Sequence, residues 1–130
     1  MKFNRAVIGV GSNIDPEENI KKAKEAIASE FKLIGASSFI RTEPVEFKNQ
    51  PMFVNGAVLI ETVIDYAELK ARLIDLEIKL GRVRTGNKNG PRIIDLDILV
   101  WNGDIVDRDV YEREFLAESV KELLPELDLR

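Results

Sequence analysis

Residues 93–101 read IIDLDILVW, and Asn102-Gly103 follows at once. An apolar run this short, rich in branched side chains and closed by an Asn-Gly pair, predicts a strand over Ile93–Trp101. The Asn-Gly pair predicts a two-residue hairpin turn, with Asp104–Val106 returning alongside. Side chains alternate along a strand, so Asp95 and Asp97 share one face. Ile94, Leu96, Ile98 and Val100 are then expected on the other face, against helices.

The remaining pattern extends this hairpin into a fold. Arg5–Gly11 (RAVIGVG) reads as a buried strand, followed by turn residues Ser12 and Asn13. Asp15 is placed to cap a helix over Pro16–Phe31, with Pro16 at its first position and Ile20, Ala23, Ile27 and Phe31 on one face. Lys32–Arg41 is sheet-like, Glu43–Gln50 a polar loop and Phe53–Thr62 a long strand. Leu69, Leu73, Leu76 and Leu80 lie at helical spacing over Tyr66–Leu80, a helix that Gly81 ends. Arg82–Arg92 is a glycine-containing loop, and Glu112–Leu124 reads as a last short helix stopped by Pro125. The order β-α-β-β-α-β predicts a ferredoxin-like α+β fold: an antiparallel sheet with helices on one face, plus a C-terminal hairpin and short helix. With 130 residues, no repeat and no linker, residues 1–130 are expected to form a single domain.

Composition narrows the chemistry. The chain has no cysteine and no histidine, so thiolate chemistry, a disulfide framework and a histidine base are excluded. A metal would have to be held by oxygen, which favours Mg²⁺, Mn²⁺ or Ca²⁺ over zinc. The net charge of −4 argues against non-specific nucleic-acid binding. The N-terminus lacks a signal-peptide pattern and no apolar run is long enough to span a bilayer, which gives the expectation of a cytoplasmic protein without membrane contact.

Asp95 and Asp97 are candidate metal ligands. On a strand their carboxylates start roughly 6–7 Å apart. At an effective dielectric near 20 their repulsion costs about 2–3 kcal/mol, a sign that a divalent cation reverses. The plain alternative is a half-exposed strand with a polar outer face. Between Ile78 and Ile94, however, lie Lys79, Arg82, Arg84, Lys88 and Arg92 and no acidic residue. Cations on a loop directly before a carboxylate pair suit phosphoryl transfer, which needs charge clamps and little covalent chemistry. Taken alone, that loop also fits a solvated turn. GVGSN resembles the start of a phosphate loop but lacks its later residues, and a tight strand-to-helix turn is the better reading. Phe53 and Asn55 form a second same-face pair. Phe53 alone suits a core, but Asn55 beside it is harder to bury, and together they could stack on and read a heterocycle.

The stretch GPRIIDLDIL resembles the signature of the 6-hydroxymethyl-7,8-dihydropterin pyrophosphokinase family of folate biosynthesis. VIGVGSNI, SSFIRTEPV, QPMFVNGAVLIET and LEIKLGRVRTGNKNGPR are similar to that family's segments, in its order. The resemblance implies a ferredoxin-like fold and transfer of the β,γ-diphosphate of ATP to the pterin hydroxymethyl group, releasing AMP. It implies two Mg²⁺ ions on Asp95 and Asp97, with ATP as co-substrate. Arg82 and Arg92 match catalytic-loop arginines, and Asp97 stands as acceptor of the substrate hydroxyl proton. Phe53 and Phe115 match aromatic positions on either side of the pterin, and Asn55 the amide at its edge. Thr42 and Val45 match loop positions whose backbone helps recognise it. Glu77, Arg84 and Arg113 are assigned to the nucleotide side. The partners are then small molecules, pterin and ATP; a monomer is the expectation, with the oligomeric state left open by the sequence.

The chain departs from the family in two places. Lys88-Asn89 stands where many members carry tryptophan, and the segment that contacts ATP shrinks to Asp107–Glu112 (DRDVYE). Two other readings therefore stand beside the enzyme: a non-catalytic or weakly active pterin- or nucleotide-binding module, and a ferredoxin-like interaction domain with an ornamental acidic pair. Retention of Arg82, Arg92, Asp95 and Asp97 weighs against the first, and the concentration of phosphate-handling residues against the second.

Overall fold

A computed structural model describes residues 2–43, 50–82 and 93–129. Six strands form one antiparallel sheet: β1 (Asn4–Ser12), β2 (Lys32–Ala36), β3 (Ile40–Thr42), β4 (Phe53–Thr62), β5 (Asp95–Trp101) and β6 (Asp104–Ile105). The spatial order is β2-β4-β1-β5-β6, with β3 also paired to β4. Helices α1 (Pro16–Glu30) and α2 (Tyr66–Lys79) complete the ferredoxin-like βαββαβ arrangement. Two further helices, α3 (Asp109–Glu112) and α4 (Glu114–Leu123), follow the hairpin.

Period-2 alternation divides the sheet into two faces. Ala6, Ile8 and Val10 of β1, Val58 and Ile60 of β4, and Leu96 and Ile98 of β5 pack with Ile20, Ala23 and Ile27 of α1 and Leu69, Leu73 and Leu76 of α2. Val7, Ala57, Leu59, Leu99 and Val100 point to the opposite face, where Val110 and Val120 cover them. The two helices of the βαββαβ unit share one face, as expected, and the C-terminal helices cover the other. Apolar side chains over Leu116–Leu129 cover the second face at one end, and among the described residues the other end is open.

Several local expectations change. The Lys32–Arg41 stretch is two strands. Their break is fastened by Ser37, whose N–H donates to Ala57 O at 2.8 Å and whose Oγ accepts from Ala57 N–H at 2.8 Å. The expected last helix is two, because Arg113 is extended between them at φ −123. Asp15 sits at the N-cap of α1 but makes no side-chain cap; its backbone is left-handed at φ 41. Asn19 instead closes the turn by donating to Ile14 O at 2.5 Å. Val100 is on the opposite face from Ile94, Leu96 and Ile98. The β1–β5 register slips between Val7 and Ile8, so Val7 pairs with Val100 and Ile8 with Ile98. A bulge of this kind reverses the facing of everything beyond it. The hairpin is as expected, with Asn102 and Gly103 both at positive φ.

Candidate active site

The open end of the second face carries the candidate site. Gly11 pairs with Asn55 of β4 on one side and with Asp95 of β5 on the other. Paired residues of an antiparallel sheet point to the same face, so Asn55 and Asp95 flank a position without a side chain, roughly 10 Å apart across two strand spacings. Gly9 repeats the arrangement between Ala57 and Asp97. Phe53 is two residues before Asn55 and pairs with Thr42, so both join the same face. The alternating glycines of RAVIGVG thus form a floor between a half-buried aromatic-amide surface and the carboxylate pair. A Cβ on Gly11 would collide with Oδ1 of Asn55. This floor explains the glycines that sequence reading assigned to a tight turn.

Asn55 is held in place: its Nδ2 donates to the Thr42 hydroxyl at 2.6 Å. Thr42 therefore contributes its side chain as well as its place in β3. Asn13, buried just past the end of β1, donates to Gln50 Oε1 at 2.7 Å and to Pro51 O at 3.2 Å. It ties the approach to Phe53 to the central strand, a task that its reading as a turn residue did not foresee. Phe115 is half-buried in the first turn of α4, beside Leu116, which packs against the second core. Arg113 stands at the α3–α4 junction with its Nε 3.7 Å from Asp109 Oδ2. Val45, Arg84 and Arg92 lie outside the described residues.

The carboxylates crowd one another. Asp97 is an exposed residue by surface area, yet protein surrounds its carboxyl closely, and desolvation follows that surrounding volume more than one open side. Burial, then the charge of Asp95, then that of Asp107, push the carboxyl from its ordinary 3.8 up to about 8. A hydrogen bond with Asp95 and the charge of Glu77 add to the rise. Asp107, which sequence reading placed only in a shortened segment, is brought near by the hairpin. Its own carboxylate accepts from Asp109 N–H at 2.9 Å.

Arg82 Nη1 donates to Asp95 Oδ1 at 2.8 Å and to Glu77 Oε2 at 2.5 Å. Glu77 is 2% exposed, and its Oε2 also accepts from Leu96 N–H at 2.7 Å. A buried carboxylate survives only with such partners. Glu77, expected on the nucleotide side, is built into the frame beneath the site, because α2 turns it inward with Leu73 and Leu76.

The donor set fits Mg²⁺. Only oxygen is offered, two carboxyls are close enough to share a proton, and a cation would replace that proton with a stronger charge. Among the described residues no group of three His, Cys, Asp or Glu could hold a metal alone. Mg²⁺ suits this shortage, since it takes one or two carboxylates and fills its remaining positions with water and substrate phosphate.

An aromatic-amide surface beside paired carboxylates and an arginine, on an α+β domain, is an arrangement suited to phosphate transfer. The family model described as 7,8-dihydro-6-hydroxymethylpterin-pyrophosphokinase matches residues 7–125, and the chain belongs to that family. It is 33% identical to the 2-amino-4-hydroxy-6-hydroxymethyldihydropteridine pyrophosphokinase of Haemophilus influenzae, over 95% of this chain and 84% of the relative. The protein of the same name from Methylorubrum extorquens is 34% identical, over 96% of this chain and 85% of its own length. That from Bacillus subtilis is 31% identical, over 96% and 81%.

Proposed function

We propose that this chain transfers the β,γ-diphosphate of ATP to the hydroxymethyl group of 6-hydroxymethyl-7,8-dihydropterin, releasing AMP, as one catalytic domain spanning residues 1–130. The row Asn55–Gly11–Asp95 carries this reading, because it sets a heterocycle surface and a carboxylate pair on one rigid face. Phe53 stacks on the pterin from the sheet side and Phe115 from α4, while Asn55, braced by Thr42, bonds the ring edge. The hydroxymethyl oxygen then points along the floor toward Asp95 and Asp97.

In this reaction the hydroxymethyl oxygen forms a bond to the β-phosphorus as the bond from that phosphorus to the α,β-bridging oxygen breaks. AMP leaves with that oxygen, and Asp97 accepts the hydroxyl proton. Bound to Asp95 and Asp97, Mg²⁺ would neutralise phosphate charge and lower the hydroxyl pKa. Arg82 and Arg113 supply positive charge to the polyphosphate, joined in this reading by Arg84 and Arg92; Val45 completes the pterin side. No helix among the described residues is long and apolar enough to cross a membrane. The net charge of −4 argues against action on nucleic acid, and a cytoplasmic monomer is part of this reading.

The test is AMP formation from ATP with 6-hydroxymethyl-7,8-dihydropterin and Mg²⁺. AMP that requires both pterin and metal supports the proposal. ADP would mean transfer of a single phosphate. Pterin binding without any nucleotide product would favour the binding-module reading, which the shortened Asp107–Glu112 segment motivates.

A further inference from the structure

Glu77 joins three parts of the site through one oxygen. Its Oε2 accepts from the N–H of Leu96, the residue between Asp95 and Asp97, at 2.7 Å. The same oxygen accepts from Arg82 Nη1, which also donates to Asp95. The root of Arg82 is fixed as well, since its N–H donates to Glu77 O at 2.9 Å. The Arg82 side chain is only 15% exposed, so its charge depends on these two carboxylates.

A cation arriving at Asp95 competes with Arg82 for the same carboxylate. An arginine that small exposure keeps from water would lose its compensation if Asp95 were its sole carboxylate partner. Glu77 removes that obstacle because it is already bonded to the same nitrogen. We propose that Glu77 is a positioning residue that retains Arg82 when a divalent cation takes Asp95, which eases cation entry. The inference rests on the reading of Asp95 as a cation ligand.

The exchange can be isolated with Mn²⁺ alone, without nucleotide, measured by loss of the free-ion electron paramagnetic resonance signal. The proteins are wild type, Glu77→Gln, Arg82→Met and the double variant. Glutamine keeps the acceptor for Leu96 N–H, which an amide spectrum of Leu96 and a melting curve verify. Glu77→Gln is expected to weaken Mn²⁺ binding about three- to tenfold in the wild-type background and less than about twofold beside Arg82→Met. Arg82→Met alone removes the competitor and is expected to tighten Mn²⁺ binding about threefold or more.

An unchanged affinity in Glu77→Gln would overturn the proposal. So would an equal loss in both backgrounds, which would make Glu77 a direct charge effect. If Glu77→Gln fails to fold, Arg82→Met still decides, because unchanged or weaker binding there means no exchange takes place. A wild type that binds no Mn²⁺ removes the cation reading of Asp95, and this inference with it.

Discussion

Gly11 and Asn55 face each other across β1 and β4, and the amide oxygen of Asn55 occupies the place where a side chain on Gly11 would stand. Gly11→Ala is therefore expected to push the amide off its bond to Thr42. In fluorescence titration, pterin affinity should fall about tenfold or more, equivalent to about 1.4 kcal/mol. Melting should change little if the strand accommodates the methyl by moving that one side chain. Unchanged pterin affinity would show that the amide does not read the ring.

Phe53 shares the face of Asn55 and, among the described residues, joins neither core. Phe53→Ala should weaken pterin binding about tenfold, the scale of losing one aromatic stack together with its apolar burial. Binding of α,β-methylene-ATP should stay within about twofold of wild type. Equal losses for both ligands would place Phe53 in the fold and not at the pterin.

Asp97 is crowded by Asp95, Asp107 and Glu77. Asp97→Asn keeps the shape and removes the charge that the fold disfavours. AMP formation should fall roughly 10³-fold or more, as expected for loss of a group that organises transferring phosphate. In the presence of EDTA the same variant should melt at a higher temperature than wild type at alkaline pH. Full activity would eliminate the metal and proton assignments together.

The pH dependence follows from the same group. Its folded pKa, about 8, lies above the ordinary 3.8, so the folded state binds the proton more tightly than the unfolded chain. In metal-free protein this contribution is fully present at pH below 3.8. It is lost as pH rises through the interval up to about 8, then stays constant. The melting advantage of Asp97→Asn over wild type in EDTA should grow across that interval and level off above it. Mg²⁺ must displace the proton, so its affinity should rise with pH up to about 8 and flatten beyond. A melting difference independent of pH would contradict this account.

The one-turn α3 and the break at Arg113 bring Phe115 to the start of α4. Phe115→Ala should lower pterin affinity by about the same factor as Phe53→Ala, and the double variant should lose less than the sum if both rings clasp one ligand. Strict additivity would separate the two rings.

The sequence by itself determined the main elements and most of their inward faces. Apolar spacing of 2 and 3.6 residues is a local property, so β1, β4, β5, α1 and α2 were legible, as was the Asn102-Gly103 turn. The shared face of Asp95 and Asp97 followed from alternation alone, and only the resemblance implies a chemistry for them. Tertiary structure decided what depends on neighbours distant in the chain. Only the β1–β4 and β1–β5 registers place Gly11 between Asn55 and Asp95. Only the bulge between those strands turns Val100 to the second core. Glu77 carries no local mark separating it from a solvated helix charge; burial beside Leu96 and Arg82 gives it a place in the site. Alternation is set within a strand, whereas registry and burial are set by which surfaces exclude water together, and no short stretch of sequence records that.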